Sequence, residues 1–213
     1  MNLADYFELL IVDDNSPDGT AEIVESMQSE FKDQLHISKR SNKQGLGTAY
    51  IHGFKWAIAR EYDVVFEMDC DFSHNPNDLP RLLLPIAEHK AQLSIGSRYI
   101  KGGHIENWPF GRWLISFFAS LYVRMILWIN IKDTTAGFKC YHIDVLKAIN
   151  LDNIPFKGYA FQICMKYAAK KKGFKCVEVP INFIDRAAGT SKMNTSIFKE
   201  AILGVWQMKW LKL

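Results

Sequence analysis

The sequence predicts an α/β fold in which a mostly parallel central sheet is flanked by helices. Short apolar runs alternate with segments of helical periodicity through the first half of the chain. Acidic or polar residues follow several of these runs directly, as at the ligand-binding edge of an open sheet. The 213 residues, of which 48% are hydrophobic and 23% charged, suit one domain with a substantial core.

The first half of the chain contains four predicted strands and three predicted helices. We expect the strands at Leu9–Val12, Leu35–Lys39, Val64–Met68 and Leu93–Gly96. We expect the helices from an Asp18 cap to Phe31, from Thr48 to Arg60, and from an Asn77 cap to Lys90. A polar turn with two glycines, Gly45 and Gly47, precedes the second helix.

The second half begins with a Gly-rich loop at Lys101–Pro109, which leads into an aromatic helical region. Further strands are predicted at Phe138–Tyr141 and Cys176–Phe183. Further helices are predicted at Ile143–Ile149, at Phe161–Lys172 and from about Ser196. A polar loop, Asp185–Asn194, precedes the last helix.

The segment Trp113–Ile131 is apolar and long enough to span a membrane, but it contains Arg124. An arginine near the centre of a span costs about 2.5–3.5 kcal/mol on insertion scales. We therefore expect an amphipathic helix, or a pair of helices, lying on a membrane surface. A core helix packed on the sheet remains the alternative. The side chains expected to share the membrane-facing side are Phe117, Phe118, Leu121 and Trp128.

Charge and cysteine content restrict the function classes. A net charge of +3 gives no general argument for nucleic-acid binding. The spacing of the four cysteines matches no zinc-binding pattern, and scattered thiols suit a reducing compartment. The opening Met1–Phe7 lacks the basic and apolar regions of a signal peptide, so none is expected.

Asp69-Cys70-Asp71 follows the third predicted strand and is the sharpest chemical signal. Two carboxylates that are two residues apart at a strand end can face one hard cation, such as Mg²⁺ on a diphosphate. A turn with two solvated aspartates is the alternative, since a lone Asp-x-Asp has low specificity.

Asp13 and Asp14 follow the first predicted strand, where an acidic side chain can bind a ribose hydroxyl. A capped turn is the alternative. The segment Arg40–Gly47 offers backbone amides and Lys43 to a diphosphate, although it lacks the P-loop pattern. An ordinary turn would contain the same residue types.

Two further groups of residues suit anions. Ser97-Arg98 follows the fourth predicted strand, at the edge where the acidic groups are expected. The polar loop brings Asp185-Arg186 and Ser191-Lys192 to either side of Gly189, an arrangement that suits a phosphate group. A solvated basic loop is the alternative for this second group.

Leu10–Thr20 resembles the nucleotide-binding segment of family 2 glycosyltransferases, and in particular that of the polyprenyl-phosphate (dolichol-phosphate) mannosyltransferases. Further similar segments follow in the family's order at 45–50, 68–74, 96–99, 133–138, 158–162 and 185–192. Together they cover nearly the whole chain, and they are specific as a set although no single segment is.

The resemblance implies a GT-A fold, a single domain over residues 1–213, with 1–99 binding nucleotide and metal and 100–213 serving the acceptor and membrane. It implies inverting transfer of mannose from GDP-mannose to a polyprenyl phosphate, with Mg²⁺ or Mn²⁺ as cofactor. The protein would sit on the cytoplasmic face of the membrane and would not bind nucleic acid. A lipid phosphate is already largely anionic at neutral pH, so a general base is less necessary.

The resemblance also assigns roles to residues. The catalytic residues would be Asp71, Arg98 and Arg186. The nucleotide-sugar would contact Asp13, Asp14, Lys43, Asp69 and Gln162, and the metal would bind Asp69 and Asp71. The acceptor phosphate would contact Arg112, Ser191 and Lys192.

Two departures from the family pattern keep other functions open. The family begins with a strand and a Pro-Thr-Tyr-Asn-Glu segment, so a first βα unit is expected to be missing here. Cys164 stands where the family has a glutamate. The alternatives are a UDP-glucose-dependent enzyme with a lipid-phosphate acceptor, a protein- or glycan-directed transferase, and a truncated, catalytically impaired or scaffolding homologue.

Overall fold

The computed structural model describes residues 7–185 and 195–213, with side chains described outside 195–201. Contacts divide the chain into two compact units, Met1–Arg60 and Glu61–Leu213. This boundary lies ahead of the division at residue 99 that the sequence motifs suggest.

The first unit is a βαβα arrangement. Its elements are β1 (Leu9–Asp13), α1 (Thr20–Phe31), β2 (Leu35–Lys39) and α2 (Leu46–Ala59). The two strands are parallel, with Leu9 opposite Leu35 and Asp13 opposite Lys39. Parallel pairing of consecutive strands requires a crossover, and α1 supplies it. The predicted bounds of these elements agree with the structure to within two residues.

The second unit, Glu61–Leu213, is the larger one. Its strands are β3 (Val64–Glu67), β4 (Leu93–Ser97), β5 (His104–Glu106), β6 (Lys139–His142), β7 (Cys176–Pro180) and β8 (Asn182–Ile184). Its helices are α3 (Leu79–Ala87), α4 (Phe110–Leu127), α5 (Ile143–Ala148), α6 (Tyr159–Lys171) and α7 (Thr195–Met208).

The main sheet of this unit has the strand order β3-β6-β4-β7. β4 and β7 are parallel, whereas β6 runs antiparallel to both of its neighbours. Three of the four strands therefore run in one direction, as a mostly parallel sheet requires, and β6 is reversed. This reversal brings the residues before β6 to the same edge as the residues after β3 and β4.

The structure corrects several predicted bounds. The predicted strand Cys176–Phe183 is two strands, because β7 pairs with β4 and β8 pairs with β5 in a separate two-stranded sheet. The predicted loop Lys101–Pro109 contains β5. The predicted Asn77 cap is also wrong: Asn75 accepts a hydrogen bond from the Asn77 backbone N–H and caps a short 3₁₀ turn, and Asp78 at the end of that turn is the N-cap of α3.

The core of the second unit lies between the main sheet and its helices. One cluster joins α3 to the sheet through Leu82, Ile86, Phe138, Cys140 and Ile181. α6 is buried on nearly every side. Cys164 lies on this helix with 0% exposure, and burial raises the pKa of its thiol to about 12. It is therefore an uncharged core residue where the family has a carboxylate.

α4 is packed quite differently from α6. Its buried residues are Ser120, Val123 and Leu127, and only 17% of the helix is buried. This low burial excludes the alternative of a core helix, whereas the predicted contact with a membrane surface stays a prediction. With 18 residues and a mean hydropathy of 1.3, α4 is also the one helix in the described part of the chain that is long and apolar enough to cross a membrane.

Candidate active site

One edge of the main sheet brings together the polar groups of the second unit. Asp69 and Asp71 follow β3, and Arg98 follows β4. The segment 132–137, which we call the Asp133 loop, leads into β6 at the same edge. The common location of Asp69, Asp71 and Arg98 follows from the sheet order.

The chain turns sharply after β3 through its own hydrogen bonds. Asp71 Oδ1 accepts from the Ser73 backbone N–H at 3.1 Å and from the Ser73 hydroxyl at 2.5 Å. The Asp69 backbone N–H donates to His74 Nδ1 at 3.3 Å. A Cβ atom at Gly137 would lie 3.2 Å from Asp69 Oδ2, so glycine gives this carboxylate its space. Both carboxylates remain partly exposed.

The buried side chain of His74 supports this turn. It is 5% exposed, and its ring lies 5.0 Å from the ring of Phe138 and 5.4 Å from that of Phe183. Burial lowers the pKa of His74, which outweighs the opposing charge of Asp69. The imidazole is therefore neutral at neutral pH, which fits its role as an acceptor for the Asp69 N–H.

The donor set at this turn suits a metal that arrives with a substrate. Among the described side chains, those of residues 7–185 and 202–213, no group of three or more His, Cys, Asp or Glu could hold a metal ion. Asp69 and Asp71 supply two carboxylates, and Mg²⁺ commonly binds one or two carboxylates together with phosphate oxygens and water. The residues therefore fit a diphosphate-bound cation better than a resident ion in a full protein cage.

Arg98 is held in a fixed, buried ion pair. Its Nε and Nη2 donate to the two oxygens of Asp133, each at 2.7 Å, and Nη2 also donates to the Thr135 hydroxyl at 2.8 Å. The side chains of Arg98 and Asp133 are 8% and 0% exposed. Burial alone would lower the pKa of Arg98 and raise that of Asp133, but the ion pair reverses both shifts. Both groups are therefore charged, and Arg98 is oriented by Asp133.

The Asp133 loop is clamped on two sides. Glu178 on β7 accepts hydrogen bonds from the backbone N–H groups of Lys132 and Asp133, at 2.8 and 2.9 Å. Lys166 on α6 donates to the carbonyls of Thr134 and Ala136, at 3.0 and 2.6 Å. These contacts, from a strand and a helix, fix the loop that in turn fixes Arg98.

A buried polar network lies beneath the loop, and it changes the expected role of Gln162. The Gln162 amide accepts from Lys139 and donates to Glu67, while Lys139 Nζ lies 3.0 Å from Glu67. Gln162 is 3% exposed, and both ends of its amide already have partners. Direct contact with a nucleotide-sugar, as the sequence suggested, does not fit this arrangement. Burial raises the pKa of Glu67 and lowers that of Lys139.

Arg112 lies in the first turn of α4. Its Nη1 donates to Asp185 at 2.7 Å, and its guanidinium lies 4.2 Å from the centre of the Trp108 ring. Both side chains of the ion pair are 24% exposed, so the guanidinium remains accessible to a further anion. Three predicted site residues, Arg186, Ser191 and Lys192, lie outside the described residues.

In the first unit, the carboxylate of Asp14, and not that of Asp13, pairs with the guanidinium of Arg40. Arg40 donates to both oxygens of Asp14, at 2.5 and 2.7 Å. This hydrogen bonding is the main reason that the pKa of Asp14 is lowered. Asp13 is 4% exposed and accepts from the Ser16 N–H, so it caps the turn after β1. Lys43 is exposed on the following loop.

Sequence reasoning missed most of the supporting residues. Asp133 begins a segment that resembles the family's, but its pairing with Arg98 has no signature in spacing. Lys166 is one of several lysines in a helical stretch, and its position among Ala160–Ala169 is the only hint that it is buried. Glu67 and Glu178 lie inside strands, where sequence alone does not reveal their partners.

The comparisons identify relatives that match most of the chain. The glycosyl transferase family 2 model matches residues 2–149. The chain is 46% identical over 198 residues to undecaprenyl-phosphate mannosyltransferase of Micrococcus luteus, covering 93% of this chain and 80% of the relative. It is 44% identical over 197 residues to polyprenol monophosphomannose synthase of Mycolicibacterium smegmatis, with coverages of 92% and 74%.

A third relative is dolichol-phosphate mannosyltransferase of Pyrococcus furiosus, 38% identical over 207 residues, covering 96% of this chain and 56% of the relative. Among solved structures, glucosyl-3-phosphoglycerate synthase from Mycobacterium tuberculosis in complex with phosphoglyceric acid has a TM-score of 0.66 at 17% identity, covering 97% of this chain and 70% of that one. The same enzyme with Mn²⁺, UDP-glucose and phosphoglyceric acid has a TM-score of 0.65 at 17% identity, with the same coverages. This likeness establishes the GT-A fold, and the family match covers more than half of the sequence: the chain belongs to glycosyl transferase family 2.

Proposed function

We propose that this protein transfers mannose from GDP-mannose to a polyprenyl phosphate, with inversion at the anomeric carbon. The observation that carries the proposal is the agreement of three relatives, 46%, 44% and 38% identical over at least 92% of this chain. All three are named for mannosyl transfer to a polyprenyl or dolichol phosphate, or for the resulting phosphomannose.

Asp69 and Asp71 would hold Mg²⁺ or Mn²⁺ on the donor diphosphate. The solved neighbours include complexes with Mn²⁺ or Mg²⁺, and the two partly exposed carboxylates after β3 suit such a cation. When bound, the metal supplies positive charge to the diphosphate leaving group. The turn formed by Ser73 and His74 keeps the two carboxylates together for this purpose.

Arg98 would stabilise charge on the phosphates, and its pairing with Asp133 supports a role in orientation. An arginine held by a carboxylate presents a fixed cation, and fixed charges lower the cost of reorganisation during the reaction. Arg112 and the predicted Arg186, Ser191 and Lys192 would bind the acceptor phosphate. Asp14 and Lys43 would contact the nucleotide-sugar, with Asp14 oriented by Arg40, and Asp13 would hold the turn that carries Asp14.

The acceptor phosphate needs alignment more than activation. Its second pKa is about 6, so at neutral pH its oxygens already carry the negative charge of a nucleophile. Cations that hold this phosphate behind the anomeric carbon would supply the proximity that the reaction needs. No general base is assigned for this reason.

A membrane surface is the proposed place of the reaction. α4 exposes Phe118 at 57% and Met125 at 61%, and Trp128 directly after the helix is 87% exposed. A polyprenyl tail stays in the bilayer. We propose that α4 rests on the cytoplasmic face of the membrane, so that Arg112 in its first turn is near the lipid phosphate.

The direct test is a transfer assay with the purified protein, a polyprenyl phosphate and either GDP-mannose or UDP-glucose. We expect a mannolipid from GDP-mannose, loss of product with EDTA, and recovery with Mn²⁺ or Mg²⁺. NMR of the product should show the anomeric configuration opposite to that of the donor.

Asp71→Asn should abolish metal-dependent transfer, whereas Asp33→Asn, on an exposed residue of the first unit, should not change it. Faster transfer from UDP-glucose would replace the proposed donor. Absence of transfer from either donor would argue for an impaired or scaffolding homologue.

A further inference from the structure

The end of α4 forms an open groove that the proposed reaction does not use. The groove has a volume of about 330 Å³, and its lining residues are Leu121, Arg124, Met125, Trp128, Ile129 and Asn130. Arg124 is its only charged lining residue. The groove therefore combines one cation with largely apolar walls.

Arg124 is half-buried, and part of its guanidinium lacks a hydrogen-bond partner. Its Nε is buried and has no hydrogen-bond acceptor among the described residues. Among the side chains that the structure describes, 7–185 and 202–213, no carboxylate forms an ion pair with it, in contrast to Arg98 and Arg112. A buried donor that is left without an acceptor destabilises the folded protein. An anion in the groove would remove this destabilisation.

The walls indicate which kind of anion fits. Met125 is 61% exposed and Trp128 is 87% exposed, so both present apolar surface beside the cation. A small soluble anion would satisfy Arg124 but would leave this surface in water. An anionic lipid satisfies both, because its phosphate meets the guanidinium while its acyl region meets the apolar side chains. Tryptophan is also enriched at membrane interfaces.

We propose that this groove binds the headgroup phosphate of an anionic phospholipid, with Arg124 donating hydrogen bonds to it and Trp128 entering the acyl boundary. The proposal rests on the proposed placement of α4 at a membrane but not on the transfer reaction. Arg124 follows Arg112 by twelve residues, which is about 18 Å along a helix. The headgroup site is therefore separate from the proposed acceptor phosphate site, and it would orient the far end of α4 on the membrane.

The test compares binding of the full chain to two kinds of vesicle, phosphatidylcholine alone and phosphatidylcholine with one-fifth phosphatidylglycerol. We expect wild type to prefer the anionic vesicles in sedimentation or surface plasmon resonance. Arg124→Gln should weaken binding to these vesicles about fivefold, in line with about 1 kcal/mol per cation at an anionic surface. Binding to neutral vesicles should stay the same.

Two variants separate the groove from general effects. Lys147→Gln removes an equal charge from an exposed position on α5 and should retain the preference. Arg124→Lys keeps the charge but loses the guanidinium geometry, and we expect intermediate binding. It also covers the case in which Arg124→Gln does not fold, as judged by circular dichroism.

Equal binding of Arg124→Gln and wild type to anionic vesicles would overturn the proposal, as would an equal loss in Lys147→Gln. Inorganic phosphate that stabilises wild type but not Arg124→Gln, without any vesicle preference, would assign the groove to a soluble anion instead. Wild-type transfer to a short-chain polyprenyl phosphate in detergent tests the proposed function independently, because that assay contains no bilayer.

Discussion

At the scale of single residues, the position of Arg98 depends on a residue with no side chain. A Cβ atom at Gly103 would lie 2.6 Å from the Ser97 carbonyl oxygen and 2.8 Å from the Arg98 carbonyl carbon. Both contacts are with backbone, which cannot rotate away as a side chain can. Glycine at this position therefore allows the turn before β5 to pack on the strand end that carries Arg98.

Gly103→Ala should lower the transfer rate at least tenfold and reduce the melting temperature, because the backbone at Arg98 must move. Gly111→Ala is the matched control, since a Cβ there meets nothing within 4 Å. That control lies in α4 and should leave stability unchanged or raise it by about 0.5–1 kcal/mol. Equal activity and melting temperature in the two variants would contradict the packing argument.

The Asp133 carboxylate should make the stability of the protein depend on pH. Its pKa is lowered in the folded protein, because the Arg98 ion pair outweighs burial. The ion pair therefore contributes stability above the ordinary aspartate pKa of about 3.9, and this contribution is lost as pH falls through the folded-state pKa. Asp133→Asn leaves Arg98 buried without its carboxylate, which should cost about 3–5 kcal/mol at neutral pH.

Urea unfolding from pH 7 to pH 2.5 tests this expectation. The difference in unfolding free energy between wild type and Asp133→Asn should narrow as the pH falls below about 4. Asp33→Asn, at an exposed position, should follow the wild-type curve throughout. A constant difference across the whole range would mean that the charge of Asp133 is not the source of the effect.

At the scale of elements, α6 acts on the site without being next to the proposed substrates. It carries Lys166, whose three hydrogen bonds reach the carbonyls of Thr134, Ala136 and Gln162. Burial is the main reason that the pKa of Lys166 is lowered, and the charge of Lys139 adds to the shift. The helix thereby ties the core of the second unit to the Asp133 loop.

Lys166→Met should release the Asp133 loop and reduce kcat about tenfold, which corresponds to about 1.4 kcal/mol in the barrier. The KM for GDP-mannose should change less, because Lys166 touches no proposed substrate. The measurement is steady-state kinetics at a temperature at which circular dichroism shows a folded variant. Lys170→Met, an identical change at an exposed position of the same helix, should keep wild-type kinetics. An increase in KM without a decrease in kcat would exclude a positioning role for Lys166.

α4 is the second element with a testable role. Phe118→Ser removes an exposed ring and should weaken binding to anionic vesicles several-fold without changing the melting temperature. Phe117 is a poorer choice, because its ring packs 5.3 Å from that of Trp113 and 5.7 Å from that of Tyr99. Ile23→Ser, at a 58% exposed position of α1, is the control and should bind as wild type does. Protein that stays in the supernatant at low salt would contradict surface binding by α4.

At the scale of the whole molecule, ligand binding should appear as stability. A ligand that binds only the folded state, at one hundred times its Kd, stabilises it by about 2.7 kcal/mol. For a chain of 213 residues, this corresponds to a shift of about 5–10 °C in melting temperature. We expect GDP and GDP-mannose to give such shifts with Mn²⁺ present, and UDP to give less.

The shift should shrink on adding EDTA and should be absent from Asp71→Asn. Differential scanning fluorimetry with and without Mn²⁺ provides the measurement, and Asp33→Asn again serves as the control. An equal shift for UDP would remove the argument for a guanine nucleotide. An equal shift with EDTA would remove the metal from nucleotide binding, whatever the outcome of the transfer assay.

The sequence by itself determined the family, the α/β class and the order of most elements. These features depend on local hydrophobic periodicity, on turn residues and on contiguous segments such as Leu10–Thr20, all of which can be read along the chain. For the same reason it located Asp69 and Asp71, because both follow a strand within four residues of its end. It did not reveal that β6 is reversed, since the direction of a strand leaves no trace in its own pattern.

Only the tertiary structure decided which side chains support the site. The pairing of Arg98 with Asp133, the clamp formed by Glu178 and Lys166, and the burial of Gln162 all join residues that are far apart in the chain. Such contacts depend on strand order and on which face of a helix is buried. Neither the strand order nor the buried face of a helix is encoded in local spacing. A buried charged residue therefore cannot be distinguished from an exposed one in the sequence.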